Sequence, residues 1–333
     1  MRIGVIGAGG VGGAFAARLQ QAGHDVSIAA RSWTADAIAT DGVQLTGEFG
    51  SFTARFDAVS TVLPAGVELA LLATKVHDAK LALTANRERL RGVPLVVMQN
   101  GLGGLDIAAR VLGGAHELFG ALTLFAVTNR GQGRIHVTAG GETFLGAGRE
   151  APSPSALAIA AELDRGLPTR AIENFRGAMW TKLLINHVNA IPAITGCSVQ
   201  EVSADPALCR ILTRSMRETI AVGRAIGVRF APLGKLGVVD IRALEHLPLG
   251  LAMAVPRRLG ASFGPVPNYA STLQSIRRGQ QTEIDELNGR VAALGRQHGV
   301  PTPVNRMLTA FVHRVERTGE FLSPGVLSRL VER

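Results

Sequence analysis

The sequence has little cysteine, tyrosine, tryptophan or lysine, and each shortage excludes something. Two cysteines in 333 residues, Cys197 and Cys209, are too few for a disulfide framework and have no metal-ligand company. They read as buried free thiols, and no metal site is expected. No run of about 20 uncharged apolar residues occurs, which excludes an ordinary membrane span. The formal net charge is +9, yet there is one tyrosine and there are two tryptophans. Basic residues fall singly or in pairs, as at Arg257-Arg258 and Arg277-Arg278, and no stripe of them interleaves with stacking aromatics. A nucleic-acid face is therefore not expected, and the charge suits small anionic ligands instead. Internal repeats and low-complexity tracts are missing too. The first residues already read as strand and turn, which leaves no room for a signal peptide, and the expected compartment is the cytoplasm.

What is present begins at the N-terminus. The apolar run Arg2-Ile3-Gly4-Val5-Ile6 leads into Gly7-Ala8-Gly9-Gly10-Val11-Gly12 and then an Ala-rich helical stretch ending at Gly23. In a strand–turn–helix with G-x-G-x-x-G, Gly7 permits the tight turn, Gly9 lets the backbone approach a pyrophosphate, and Gly12 lets helix and strand pack closely. The helix N-terminus presents free N–H groups and a positive dipole end to the anion. Gly7 to Gly12 are thus candidate dinucleotide contacts; the alternative is a Gly-rich turn in some other α/β fold. A second strand, Asp25 to Ala30, ends at Arg31-Ser32 with no acid within two residues of Arg31. A carboxylate at that place accepts from a ribose 2′-hydroxyl, whereas a guanidinium and a hydroxyl suit a 2′-phosphate, so Arg31 and Ser32 favour NADP over NAD.

Further on, the pattern predicts a hairpin around Gly50 (Gly42 to Asp57), a strand from Val67 to Thr74 ending at Lys75, a helix from Val76 to Leu90, and a strand from Pro94 to Gln99 followed by Asn100. Such alternation implies βαβ units in a parallel sheet whose ligands lie beyond the carboxyl ends of the strands, where Lys75 and Asn100 fall. From Glu117 to Gly148 short strands with Gly turns read as antiparallel strands closing the sheet edge. The Pro-Ser segment Ala151 to Ser155 is a loop, because a helix and a short strand, Thr169 to Glu173, still follow. Beyond about Phe175 helices dominate: Gly177 to Ile191, Pro206 to Ile226, Glu283 to His298 and Val304 to Glu316. The expected architecture is an α/β, Rossmann dinucleotide-binding domain over residues 1–174 and a mainly α-helical domain over 175–333.

Lysine occurs only at Lys75, Lys80, Lys182 and Lys235. Lys182, Asn186 and Asn189 are spaced i, i+4, i+7 on a strongly apolar helix and share a face, which either meets solvent or lines a polar cleft. A solvated stripe normally carries more charge, which favours the cleft. Partial burial can lower a lysine pKa and make it a proton donor, a role arginine cannot take. A second cluster runs from Asn268-Tyr269-Ala270-Ser271 to Gln281-Thr282-Glu283-Ile284-Asp285-Glu286-Leu287-Asn288-Gly289. There Thr282 with Asp285 resembles a capping box, and Glu283 either suits a helix dipole in a first turn or carries function.

Gly7-x-Gly9-x-x-Gly12, Arg31, Thr74-Lys75, Gln99-Asn100-Gly101-Leu102-Gly103, Lys182-Leu183-Leu184-Ile185-Asn186, Ser271, Thr282-Glu283-Ile284-Asp285-x-x-Asn288-Gly289 and the tail Gly299 to Asn305 together resemble the ketopantoate reductase (2-dehydropantoate 2-reductase) family over nearly the whole chain. The resemblance implies NADPH-dependent reduction of 2-dehydropantoate to (R)-pantoate, on the way to pantothenate and coenzyme A. It implies that Lys182 is the general acid, with Glu283 orienting the lysine and substrate and lying near the cofactor. Asn186, Asn189, Ser271 and Asn268 would hold substrate polar groups, Asn100 would sit beside nicotinamide and substrate, and Lys75 would reach the cofactor. The active site is then expected in a cleft between the Rossmann sheet and the helical domain, and a homodimer through the helical domain is also expected.

Two positions depart from the family pattern. Members place a second Asn four residues after the first, where this chain has Ala190 and carries Asn189 one residue early. Many also read Gln-Asp where this chain has Gln274-Ser275. Both fall near the substrate, so they bear on which 2-oxo acid is reduced more than on the reaction. The alternatives are a reductase of the same fold for another 2-oxo acid and a non-catalytic NADP-binding sensor.

Overall fold

The computed structural model describes residues 1–332. The chain divides into two compact units, Met1–Phe175 and a second beginning at Arg176. The first contains strands β1 (Arg2–Ile6), β2 (Asp25–Ala29), β3 (Val43–Gly47), β4 (Phe52–Ala54), β5 (Ala58–Ser60), β6 (Leu69–Leu72), β7 (Leu95–Val97), β8 (Leu118–Thr123), β9 (Ala126–Asn129), β10 (Arg134–Ala139), β11 (Thr143–Gly146) and β12 (Thr169–Ala171). Its helices are α1 (Gly10–Gln21), α2 (Ser32–Asp41), α3 (Val76–Asn86), α4 (Gly104–Leu112) and α5 (Pro154–Asp164).

The main sheet runs β12-β11-β8-β7-β6-β1-β2-β5. All of its pairings are parallel except β11 with β8. This is the doubly wound Rossmann arrangement, and its apolar strands are covered on both faces. Ile3, Val5, Ile28, Leu69 and Leu71 pack with Phe15 of α1 into one core, while Ile6, Leu72, Leu95 and Val97 alternate onto the other face against Leu83 and Leu90. The order reverses direction about β1, so the loops after β1, β2, β6 and β7 converge at the carboxyl edge.

The segment 117–148 is not simply an antiparallel sheet edge. β8 and β11 extend the main sheet, but β9 and β10 leave it and join β3 and β4 in a second sheet ordered β4-β3-β10-β9. This small sheet packs on α1, where Ile135 and Val137 join Val43 and Leu45 in the same core as Ala14, Phe15 and Leu19. Coverage from both sides explains why α1 is small and apolar nearly all round. A Cβ on Gly13, for example, would overlap Ile135.

The second unit is helical: α6 (Phe175–Asn186), a 3₁₀ turn His187–Asn189, α7 (Ala190–Thr195), α8 (Val199–Ala204), α9 (Pro206–Ala225), α10 (Val238–His246), α11 (Leu249–Ala252), α12 (Ala254–Ala261), α13 (Ser271–Arg277), a 3₁₀ turn Ile284–Glu286, α14 (Asn288–Gln297), α15 (Pro303–Thr318) and α16 (Pro324–Glu332). Two expected helices of this unit therefore differ, and in the first unit the 76–90 helix ends at Asn86. The 177–191 helix breaks at His187, and the 283–298 helix starts only at Asn288. Cys209 is buried as a free thiol, whereas Cys197 is only partly buried. No described helix is long and apolar enough to cross a membrane, and no described group of three His, Cys, Asp or Glu residues could hold a metal ion.

Candidate active site

The glycine turn can be tested against packing. Gly7 has φ +97°, and a Cβ there would crowd the Thr74 backbone nitrogen at 2.7 Å. A Cβ on Gly12 would overlap the Gly7 carbonyl oxygen and lie 2.8 Å from the Ala73 Cβ. Both glycines are thus demanded by the turn and by close helix–strand contact. Gly9 is different: its Cβ would meet nothing within 4 Å. Internal packing does not explain it, and its bareness keeps the backbone open where α1 begins. Gly9 caps α1 with no side-chain hydrogen bond, and the first turn, from Gly10 through Val11 and Gly12, holds no acid. Ala8 is buried beneath it. These residues fit a dinucleotide pyrophosphate.

Arg31 and Ser32 follow β2 at the carboxyl edge, both exposed, with Arg31 as the residue preceding α2. The Arg31 guanidinium lies 4.6 Å above the Trp33 ring, which is 61% exposed. Trp33 carries no motif and went unnoticed in the sequence; exposure of one of two tryptophans is the signal that finds it. Lys75 follows β6 as the residue preceding α3, and Asn100 follows β7; both are half-buried. Their two loops are tied by buried Gln99, whose Nε2 donates to the Thr74 carbonyl at 2.9 Å and to Thr74 Oγ1 at 3.1 Å.

In the second unit, Lys182 is half-buried on α6, and burial lowers its pKa from the usual 10.5 to about 8. Asn186, one turn on, is buried, and its Nδ2 has no hydrogen-bond partner. The break at His187 matters here. In a 3₁₀ turn residues i and i+3 eclipse, so the tightened backbone sets Asn189 in line with Asn186, and Lys182, Asn186 and Asn189 share one face. Asn189 Oδ1 accepts from the Ser271 N–H at 3.3 Å, holding the start of α13 and its exposed Ser271 against that face.

Asn268 spends its side-chain oxygen locally, accepting from the Ala270 N–H at 2.8 Å in a turn that supports Ala270 at φ +51°. Glu283 is half-buried and precedes a 3₁₀ turn, not the first turn of an α-helix. The capping-box reading of Thr282 and Asp285 is replaced by long-range ties. The Thr282 N–H donates to Glu316 Oε1 at 2.9 Å, and Asp285 Oδ1 pairs with His313 Nε2 at 2.9 Å. Glu283 is thus fixed on both sides to α15. Burial pulls the His313 pKa down, but its bonds to Asp285 and Glu316 outweigh this and raise it overall.

Fold and site together define a Rossmann-type oxidoreductase. Residues 3–150 match the family model for ketopantoate reductase PanE/ApbA, and residues 174–316 match the model for its C-terminal region. The chain belongs to the ketopantoate reductase family. The 2-dehydropantoate 2-reductase of Mesorhizobium japonicum is 29% identical over 339 residues, covering 95% of this chain and 98% of that one. That of Archaeoglobus fulgidus is 25% identical over 317 residues, covering 95% and 98%. Among solved structures, a PanE/ApbA family ketopantoate reductase from Ralstonia eutropha JMP134 superposes with a TM-score of 0.80 at 29% identity, covering 95% and 99%. D-mandelate dehydrogenase, solved with NADH and anilino(oxo)acetate, has a TM-score of 0.83 at 21% identity over 96% and 99% of the two chains, a likeness of fold.

Proposed function

We propose that this protein reduces the 2-oxo group of 2-dehydropantoate to give (R)-pantoate, using NADPH, in the supply of pantothenate and coenzyme A. The observation that carries the reading is the pairing, one turn apart, of a lysine held near pKa 8 with a buried amide donor that has no acceptor. Family membership and the names of the relatives give the substrate class.

The reduced nicotinamide, when bound, supplies the hydride that the substrate C2 receives. Gly7 to Gly12 hold the pyrophosphate on the open N-terminus of α1. Arg31 and Ser32 take the 2′-phosphate, with Trp33 bracing the guanidinium, and Lys75 adds a cation at the same sheet edge. Asn100 serves nicotinamide and substrate. Lys182 donates a proton to the carbonyl oxygen as negative charge develops there, and a pKa near 8 suits an acid working close to neutral pH. The Asn186 amide donates to the 2-oxo acid, Asn189 positions Ser271, and Ser271 and Asn268 contribute further donors. Glu283 orients the ammonium and lies near the cofactor. This reading places the enzyme in the cytoplasm. Exposed Val239, Leu251 and Val266 support a homodimer through the helical unit.

A second reading, reduction of another 2-oxo acid, is favoured by the departures at Asn189-Ala190 and Gln274-Ser275. Steady-state NADPH oxidation with 2-dehydropantoate beside a panel of branched 2-oxo acids tests the assignment. The expected result is the highest kcat/KM with 2-dehydropantoate. A higher value with another acid would move the substrate and keep the reaction, whereas NADPH binding without turnover of any oxo acid would indicate a non-catalytic protein.

A further inference from the structure

His187 opens the 3₁₀ turn that follows Asn186 and ends at Asn189, and the residue is 1% exposed. Its direct partners, Ser215, Thr219 and Asn288, belong to a buried cluster drawn from three other helices. Ser215 and Thr219 lie on α9, Asn288 opens α14, and Asn305 belongs to α15. Asn288 and Asn305 stand in segments whose motifs the proposed reaction leaves without a role.

The hydrogen-bond polarity of this cluster follows from one fixed end. The Glu218 carboxylate sits at the start of α15, where it accepts from the Val304 and Asn305 N–H groups at 2.9 Å and from Asn305 Nδ2 at 2.7 Å. Asn305 therefore turns its oxygen toward Asn288, whose Nδ2 donates to it at 2.9 Å. The same Nδ2 lies 2.9 Å from His187 Nδ1, so that ring nitrogen must be the acceptor. The ring proton is then on Nε2, 2.6 Å from Thr219 Oγ1, whose own proton goes to the Ser215 carbonyl at 3.1 Å. Every assignment in the chain agrees with a neutral imidazole protonated at Nε2.

The consequence is positional. His187 is adjacent to Asn186 and five residues from Lys182, while Asn288 is five residues from Glu283, and both side chains are buried. We infer that His187 is a positioning residue whose bond to Asn288 sets the register of the Lys182–Asn189 segment against the Glu283 segment. This rests on the reading that Lys182 and Glu283 act in the reduction. The bond is directional and shielded from water, so it fixes a ring orientation that apolar packing alone leaves adjustable.

Replacement of His187 by Gln and by Asn tests this. Asn places a carbonyl oxygen where Nδ1 stood and can still accept from Asn288, whereas Gln reaches the Nε2 position and gives up the Nδ1 acceptor. With the NADPH-binding enzyme, His187→Gln is expected to lower kcat/KM for the 2-oxo acid about tenfold or more, as small misplacements of reacting groups do. Its NADPH dissociation constant, from fluorescence titration, should stay within about twofold of wild type, since the cofactor contacts are untouched. The basic limb of the pH profile should also move upward as Lys182 leaves its buried setting. His187→Asn should recover a large part of both. A folded His187→Gln enzyme with wild-type kcat/KM and pH profile overturns the inference, as does equal loss in Gln and Asn with an unmoved basic limb. If His187→Gln does not fold, Asn288→Ser removes the same bond from the other side and is judged by the same two readouts. Lys182→Ala assayed in parallel separates the two claims: wild-type turnover there overturns the proposed reaction, whereas a crippled Lys182→Ala beside an unaffected His187→Gln overturns only the positioning role.

Discussion

Asn186 lies one helical turn beyond Lys182, and its side-chain nitrogen is buried without an acceptor while the lysine is held at a pKa of about 8. Folding gains nothing from the unpaired amide donor. A buried unsatisfied donor costs about 1–3 kcal/mol, and desolvating an ammonium destabilises its charged form. The proposed 2-oxo acid site gives that unpaired donor a partner, one turn from the proposed proton donor.

Asn186→Leu separates binding from folding. The 2-oxo acid should lose a buried donor, raising its KM about tenfold, while the melting temperature holds or rises because an unpaired polar group has gone. An unchanged KM with a clearly lowered melting temperature would make Asn186 a structural residue.

Gly9 and Gly12 should respond oppositely to the same methyl group. Gly12→Ala drives a Cβ into the Gly7 carbonyl oxygen and should lower stability by about 1–3 kcal/mol, the usual range for overpacking. Gly9→Ala adds a Cβ that meets no packing neighbour within 4 Å beyond the adjoining chain, so thermal stability should match wild type while dinucleotide affinity falls. Equal stability losses in the two variants would remove Gly9 from the pyrophosphate site.

Arg31→Ala should raise the KM for NADPH about tenfold or more, the scale of losing charge-assisted hydrogen bonds to a phosphate, and leave that for NADH nearly unchanged. Wild-type enzyme that uses NADH as readily as NADPH would remove the assigned role of Arg31.

Much of this was legible in the sequence because it depends on local rules. The β1–α1 turn announces itself through glycines at fixed offsets from an apolar strand, and Lys75 and Asn100 were placed by strand ends alone. What escaped depends on partners distant in the chain. Strand periodicity says which face is apolar, but not that β10 pairs with β3 in a separate sheet rather than extending the main one. The helix expected at Glu283 yields to a 3₁₀ turn because Thr282 and Asp285 are claimed by Glu316 and His313, about 30 residues later. The break at His187 is likewise set by a buried network drawn from three other helices. Asn189 is a further case: its side chain holds the Ser271 N–H, a partner 82 residues away that no spacing rule gives.

The central claim is that Lys182 is the proton donor, and single-turnover oxidation of enzyme-bound NADPH by 2-dehydropantoate tests it without interference from product release. The donor must be protonated, so the wild-type rate should fall as pH rises through about 8, the value at which burial holds this lysine. Lys182→Ala should slow the step by about 10² or more and lose that dependence, with NADPH binding intact. Lys182→Arg should recover little, because a guanidinium keeps its proton at neutral pH. A Lys182→Ala enzyme that oxidises NADPH at close to the wild-type single-turnover rate, with the same pH profile, would contradict the account.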